Sequence, residues 1–228
     1  MLPIRDDTPS STTPFINYFL IALNVAIFFF EWTLGPRSLR NFEFQFAFIP
    51  HHVDDWLSGS LPASYALVPF LSSMFLHASW MHVISNMWFL RIFGDNVEDR
   101  LGHFGYLIFY LLCGAGANLA HLVFNFTSPL PAVGASGAIA GVMGAYFILY
   151  PRARVLTWWI FFVFWLPAWL VLGYWFLGEF LSGAASLFTS STGAGGVAFW
   201  AHVGGFVTGF ALIKLLPVRK NAYAFEEY

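Results

Sequence analysis

Apolar residues fall in six long, nearly charge-free runs along this 228-residue chain, and that feature limits its fold more than any other. A helix needs about 20 consecutive apolar residues to cross a bilayer's hydrocarbon core. Only 10% of the residues are charged, whereas a soluble domain carries about 25%. The runs are continuous rather than spaced at helical or strand period, so water-facing amphipathic elements do not explain them. A net charge of −2 gives no electrostatic footprint for nucleic acid or an anionic surface. The single cysteine, Cys113, excludes a disulfide framework. The mixed-charge start, Met1 to Asp7, does not read as a cleavable signal peptide.

These runs predict an all-α integral membrane bundle of six helices: Phe15 to Leu34, Val68 to Phe93, Phe104 to Asn125, Ser136 to Tyr150, Val155 to Leu181 and Val197 to Leu216. Residues 1–14 read as a leading segment, 15–216 as the membrane domain and 217–228 as a tail. An even number of spans puts both termini on one side. That side collects Arg5, Arg91, Arg100, Arg152, Arg154, Lys214, Arg219 and Lys220, against Arg37 and Arg40 on the other. The positive side is cytoplasmic, so both termini are expected in the cytoplasm. No internal repeat is visible, which weighs against an inverted-repeat transporter.

Ser136 and His202 share a depth on this reading. Each lies fifteen residues before the proline that closes its helix, Pro151 and Pro217, which is about 22 Å of rise. Both would sit roughly 8 Å beneath the outer edge of the hydrocarbon. Ser136 follows Thr127 to Ala135, a stretch that two prolines keep from being helical. Irregular backbone at membrane depth lines a cavity, and hydrolysis there needs one to admit water. A helix N-terminus also favours a developing oxyanion. Gly137 and Gly141, and Gly205 and Gly209, are four apart on the two helices and would let their backbones touch. Taken singly, Gly134 to Gly137 reads equally well as packing sequence, and His202 as an interhelical hydrogen-bonded histidine. Together at one depth they read as nucleophile and base.

His82 and Asn86 are four apart on one helix face, where imidazole and amide donors suit an oxyanion. Zinc fits less well: His77 and His82 diverge by about 140° on a helix, and no His-Glu-x-x-His occurs. His77 reads as structural, bonding loop backbone. Glu31 and Glu179 fall at outer helix ends and no carboxylate lies mid-span, so a dyad is expected rather than a triad. The fifth helix, dense in Trp and Phe with Pro167 near its middle, and the Gly/Ser/Thr-rich loop from Ser182 to Gly196 suggest a lateral gate or lid. Aromatics that merely face lipid explain the same residues.

Three motifs in order carry a family resemblance: Phe75-Leu-His77 with His82 and Asn86; Gly134-Ala-Ser136-Gly137; and Ala201-His202-Val-Gly-Gly205 with Gly209. They resemble the rhomboid intramembrane serine proteases. Arg5-Asp-Asp and Phe93 to Gly102 look like the bacterial branch. The resemblance implies Ser136 as nucleophile, His202 as general base, and His82, Asn86 and the Ser136 N–H as the oxyanion site. It further implies single-span membrane proteins as substrates, no metal or cofactor, and a multi-pass place in the cell's inner membrane. Two departures stand out. Ala140 replaces the aromatic residue that stacks on the histidine in some relatives, so another ring must do so. The first long loop lacks their Trp-Arg pair and carries Phe42, Phe44, Phe46, Phe48 and Trp56 instead.

Overall fold

The computed structural model describes residues 1–187 and 198–219. Strand β1 (Leu2–Asp6) precedes helix α1 (Phe15–Thr33). Short helices α2 (Pro36–Phe46), α3 (His51–Leu57), α4 (Ala63–Leu67) and α5 (Pro69–Ser72), with a 3-10 turn at Ser73–Phe75, fill the first loop. Then come α6 (Trp80–Leu101), α7 (His103–Asn125), α8 (Ser136–Leu149), β2 (Arg154–Trp159), β3 (Phe162–Pro167), α9 (Ala168–Ser186) and α10 (Phe199–Leu215).

Helix α8 is the axis of the bundle. Gly137 through Tyr146 are all buried, so it meets protein on every side. A helix apolar all round is expected only in such a core or in lipid. Its small residues make room for α10: a β-carbon on Gly205 would stand 2.0 Å from the Gly137 carbonyl oxygen, and one on Gly209 1.9 Å from that of Gly141. Helix α10 could carry a side chain at neither position without moving backbone.

One end of the bundle is laced by polar contacts. Buried Glu98 on α6 accepts from the Ile16 and Asn17 N–H groups (3.0 and 2.7 Å) and meets His103 at the start of α7. Those two N–H groups are among the four a helix leaves without an internal partner, so Glu98 caps α1 from a neighbouring helix. Asp99 accepts from the Ser11 and Thr12 hydroxyls, each at 2.7 Å. Arg100 Nε donates to the Arg219 carbonyl just past α10. The starts of α1 and α7 and the ends of α6 and α10 therefore meet at one end.

Several expectations need correction. The molecule is mostly helical, not all-α: β1, β2 and β3 form an antiparallel sheet. The expected fifth helix from Val155 begins instead at Ala168, and residues before it form the β2–β3 hairpin. Val155 and Thr157 turn inward while Arg154 and Trp158 face out, a strand pattern within an otherwise apolar run. Val, Thr, Phe and Trp crowd a helix and suit a pleated surface. Pro167 closes β3, so it introduces no mid-helix kink. The expected second helix is broken. Ser79 Oγ accepts from the His82 N–H and starts α6 afresh, bent 75° from the segment Ala63–Phe75. Of the proposed lid, Ser182 to Ser186 belong to α9, while 188–196 lie outside the described residues, as does 220–228 of the tail.

Among the described residues, α1, α7 and α9 are long and apolar enough to cross a membrane, and the bent pair ending in α6 makes a fourth candidate. With 14 and 17 residues, α8 and α10 are shorter, about 21 and 26 Å.

Candidate active site

Ser136 is the first residue of α8, reached through a non-helical approach that is tied at several points. Ala132 and Phe48 exchange backbone bonds of 2.8 and 3.0 Å, and the Gly134 N–H donates to the Ser73 carbonyl at 2.9 Å. Asn118 on α7 donates to Ser73 Oγ at 2.9 Å and braces the same corner. Gly134 has φ +127°, a backbone region open essentially only to glycine. A β-carbon there would also stand 2.6 Å from His82 Nε2.

His202, on α10, places Nε2 2.7 Å from Ser136 Oγ. The close approach of α8 and α10 puts these two groups in contact, because Gly205 is one turn from His202 and meets the carbonyl of the residue after Ser136. The second ring nitrogen, Nδ1, lies 2.8 Å from Glu179 Oε2 on α9. A carboxylate accepts, so the Nδ1 proton points to Glu179 and the Nε2 lone pair is left to receive the serine O–H. The His202 and Glu179 side chains are 11% and 17% exposed, enclosed but not sealed. Trp175, one turn before Glu179, lies beside the His202 ring with centroids 5.8 Å apart.

His82 and Asn86 project from the first turns of α6 toward Gly134. The Asn86 amide nitrogen would be 3.5 Å from a β-carbon on that glycine. It also donates to His77 Nε2 at 3.0 Å, and the His77 and His82 rings meet edge-on at 5.1 Å. The His77 N–H donates to Glu31 Oε2 on α1 at 3.0 Å, so this carboxylate holds the chain entering α6. His77 thus bonds the Asn86 side chain and, through its N–H, a carboxylate, rather than loop backbone alone. Gly137 packs on Ala117 and Gly141 on Cys113, both on α7. A crevice bordered by Ser136, Gly134 and Ala201 has about 20 Å³ of free interior, room for one water. A larger cleft between α1 and α2 is lined almost wholly by apolar side chains, among them Phe30, Phe42 and Phe75, and offers no comparable constellation.

Glu179 and Trp175 are the residues that sequence reasoning missed. Drawing the fifth helix from Val155 put Glu179 at its rim. With the true start at Ala168 it is the twelfth of 19 residues, and a lone carboxylate inside an apolar helix is itself a functional signal. Trp175 and Glu179, four apart, share the face that meets α10, and Trp175 is an aromatic ring beside His202 where position 140 offers only alanine.

Residues 65–219 match the family model described as Rhomboid domain. The chain is similar to Rhomboid-like protein 11, chloroplastic, of Arabidopsis thaliana, 32% identical over 125 residues, 55% of this chain and 39% of the relative. It is similar to RHOMBOID-like protein 6, mitochondrial, of the same plant, 32% identical over 158 residues, 69% and 46% of the two chains. It is also similar to Rhomboid protein 1, mitochondrial, of Saccharomyces cerevisiae, 27% identical over 200 residues, 84% and 50%. The aligned part is half or less of each relative's length.

Proposed function

The chain belongs to the rhomboid family, and from that premise we propose that it is an intramembrane serine endopeptidase with Ser136 as nucleophile and His202 as general base. The observation that carries the reading is the 2.7 Å contact between Ser136 Oγ and His202 Nε2 at the head of a buried helix. As Oγ bonds to the scissile carbonyl carbon, its proton passes to Nε2 and the carbonyl π pair moves onto oxygen. His82, Asn86 and the Ser136 N–H are assigned to that oxyanion, supported by the convergence of His82 and Asn86 on Gly134. Collapse breaks the C–N bond, and His202 returns the proton to the leaving amine. Water, activated by the same imidazole, then hydrolyses the acyl-serine.

The proposal extends to substrates that are transmembrane proteins, to six spans with both termini cytoplasmic, and to a membrane domain over 15–216. Gly137, Gly141, Gly205 and Gly209 hold the two helices together in it, and His77 supports Asn86. Placement in the bacterial branch and an inner cell membrane rests on Arg5-Asp-Asp and Phe93 to Gly102 alone. The relatives named above carry mitochondrial and chloroplast names. Purified protein and a Ser136→Ala variant are incubated with a single-span membrane reporter and with a fluorophosphonate. Cleavage and labelling by the unaltered protein alone are expected; identical behaviour of the two overturns the reading.

A further inference from the structure

We propose that Glu179 is a positioning residue for His202, holding the imidazole at Nδ1 while Nε2 faces Ser136; this rests on the protease reading above. The geometry is specific. Glu179 Oε2 lies 2.8 Å from Nδ1, while Nε2 of the same ring lies 2.7 Å from Ser136 Oγ. One imidazole thus bridges a carboxylate and a hydroxyl with its two nitrogens, and the carboxylate decides which nitrogen carries the proton. A neutral imidazole has two tautomers, and only the one protonated at Nδ1 can accept from the serine.

Three structural facts support a built contact. Glu179 is the only charged side chain in α9. Its side chain is 17% exposed, so the carboxylate is held among protein atoms rather than extended into solvent. Trp175, one turn earlier on the same face, lies beside the ring with centroids 5.8 Å apart. Helix α9 therefore supplies both a hydrogen-bond acceptor and a wall for the base.

The charge matters as well as the bond. When Nε2 takes the Ser136 proton, the ring becomes a cation while its Nδ1 proton stays in place. Glu179 stabilises that cation and does not itself become protonated. Glu179 is the carboxylate in direct contact with that ring.

The test uses the full-length protein in lipid with the single-span reporter, comparing Glu179→Gln and Glu179→Ala with the unaltered chain. The Gln side chain keeps the shape and an acceptor oxygen but loses the charge; Ala loses both. In Glu179→Ala, kcat is expected to fall about 10²-fold with KM within about twofold, and Glu179→Gln to lie between. In both, the loss falls on kcat and on the rate of fluorophosphonate labelling rather than on KM. Circular dichroism melts report the folded fraction. Wild-type kcat in Glu179→Ala overturns the proposal while leaving Ser136 and His202 standing. A loss of rate that tracks loss of folded protein reduces Glu179 to packing and overturns it too. If the unaltered protein neither cleaves nor labels with fluorophosphonate, the protease reading fails first and takes this inference with it.

Discussion

Substituting Gly205→Ala probes the contact on which the site depends. The added β-carbon would stand 2.0 Å from the Gly137 carbonyl oxygen, with the Ala117 methyl 3.4 Å away on the other side. Both near atoms in the α8 contact are backbone, so no flexible side chain can swing aside. Reaching ordinary van der Waals separation requires α8 and α10 to part by about 1.4 Å at this level. Gly137 is bonded to Ser136, and Gly205 is one turn from His202, so the displacement is felt directly at the pair. Their 2.7 Å contact would open to about 4 Å, beyond hydrogen-bond reach. Overpacking of this kind costs about 1–3 kcal/mol of stability, and a misplacement of about 1 Å costs on the order of 10²-fold in rate. The assay is the second-order rate of fluorophosphonate labelling at fixed pH, with a melt of the same sample. Gly178→Ala is the control, because a β-carbon there meets nothing within 4 Å and the change favours helix. Should Gly205→Ala label at the unaltered rate and melt at the unaltered temperature, the helices are not held by that contact and the packing argument is wrong.

Gly134→Ala combines a left-handed backbone at φ +127° with a β-carbon 2.6 Å from His82 Nε2, so it should abolish reporter cleavage and lower stability by about 1–3 kcal/mol; wild-type turnover would refute the assigned approach to Ser136. Glu98→Ala strips two backbone donors of α1, one of them buried, of their acceptor, and should destabilise the bundle by about 3 kcal/mol with the N-terminal end of α1 exchanging first, read by amide hydrogen exchange. Asp6, in β1, has its pKa pushed from 3.8 to about 7, chiefly by burial and further by Asp95, against the opposing effect of the Tyr146 hydroxyl. The folded state therefore favours the protonated acid, so docking of β1 should be firmest below about pH 4 and weaken as pH rises toward 7. Limited proteolysis of the N-terminal segment across that window checks it, and Asp6→Asn should flatten the dependence.

The membrane class and most helices were legible because a charge-poor apolar run has few ways to satisfy its backbone in lipid, and a helix is the local one. Bounds at Phe15, Asn125 and Ser136 could be read from prolines, polar residues and glycines that interrupt the runs. The β2–β3 hairpin was not legible for the same reason that the runs were. Where nearly every residue is apolar, hydropathy no longer separates helix from strand, and β2 draws its other partner from β1, some 150 residues away.

From the amino acids alone come the chain's affinity for a bilayer, Ser136 and His202 as the proposed nucleophile and base, and the glycines that permit helices to touch, because these depend on residue type and local spacing. Tertiary structure alone decided that the acid of α9 meets the imidazole of α10, that Trp175 flanks it, and that Glu31 holds the entry to α6. Such contacts depend on how helices are rotated about their axes. In lipid an outward apolar face and an inward one look alike in sequence, so the rotation is set by packing among the helices.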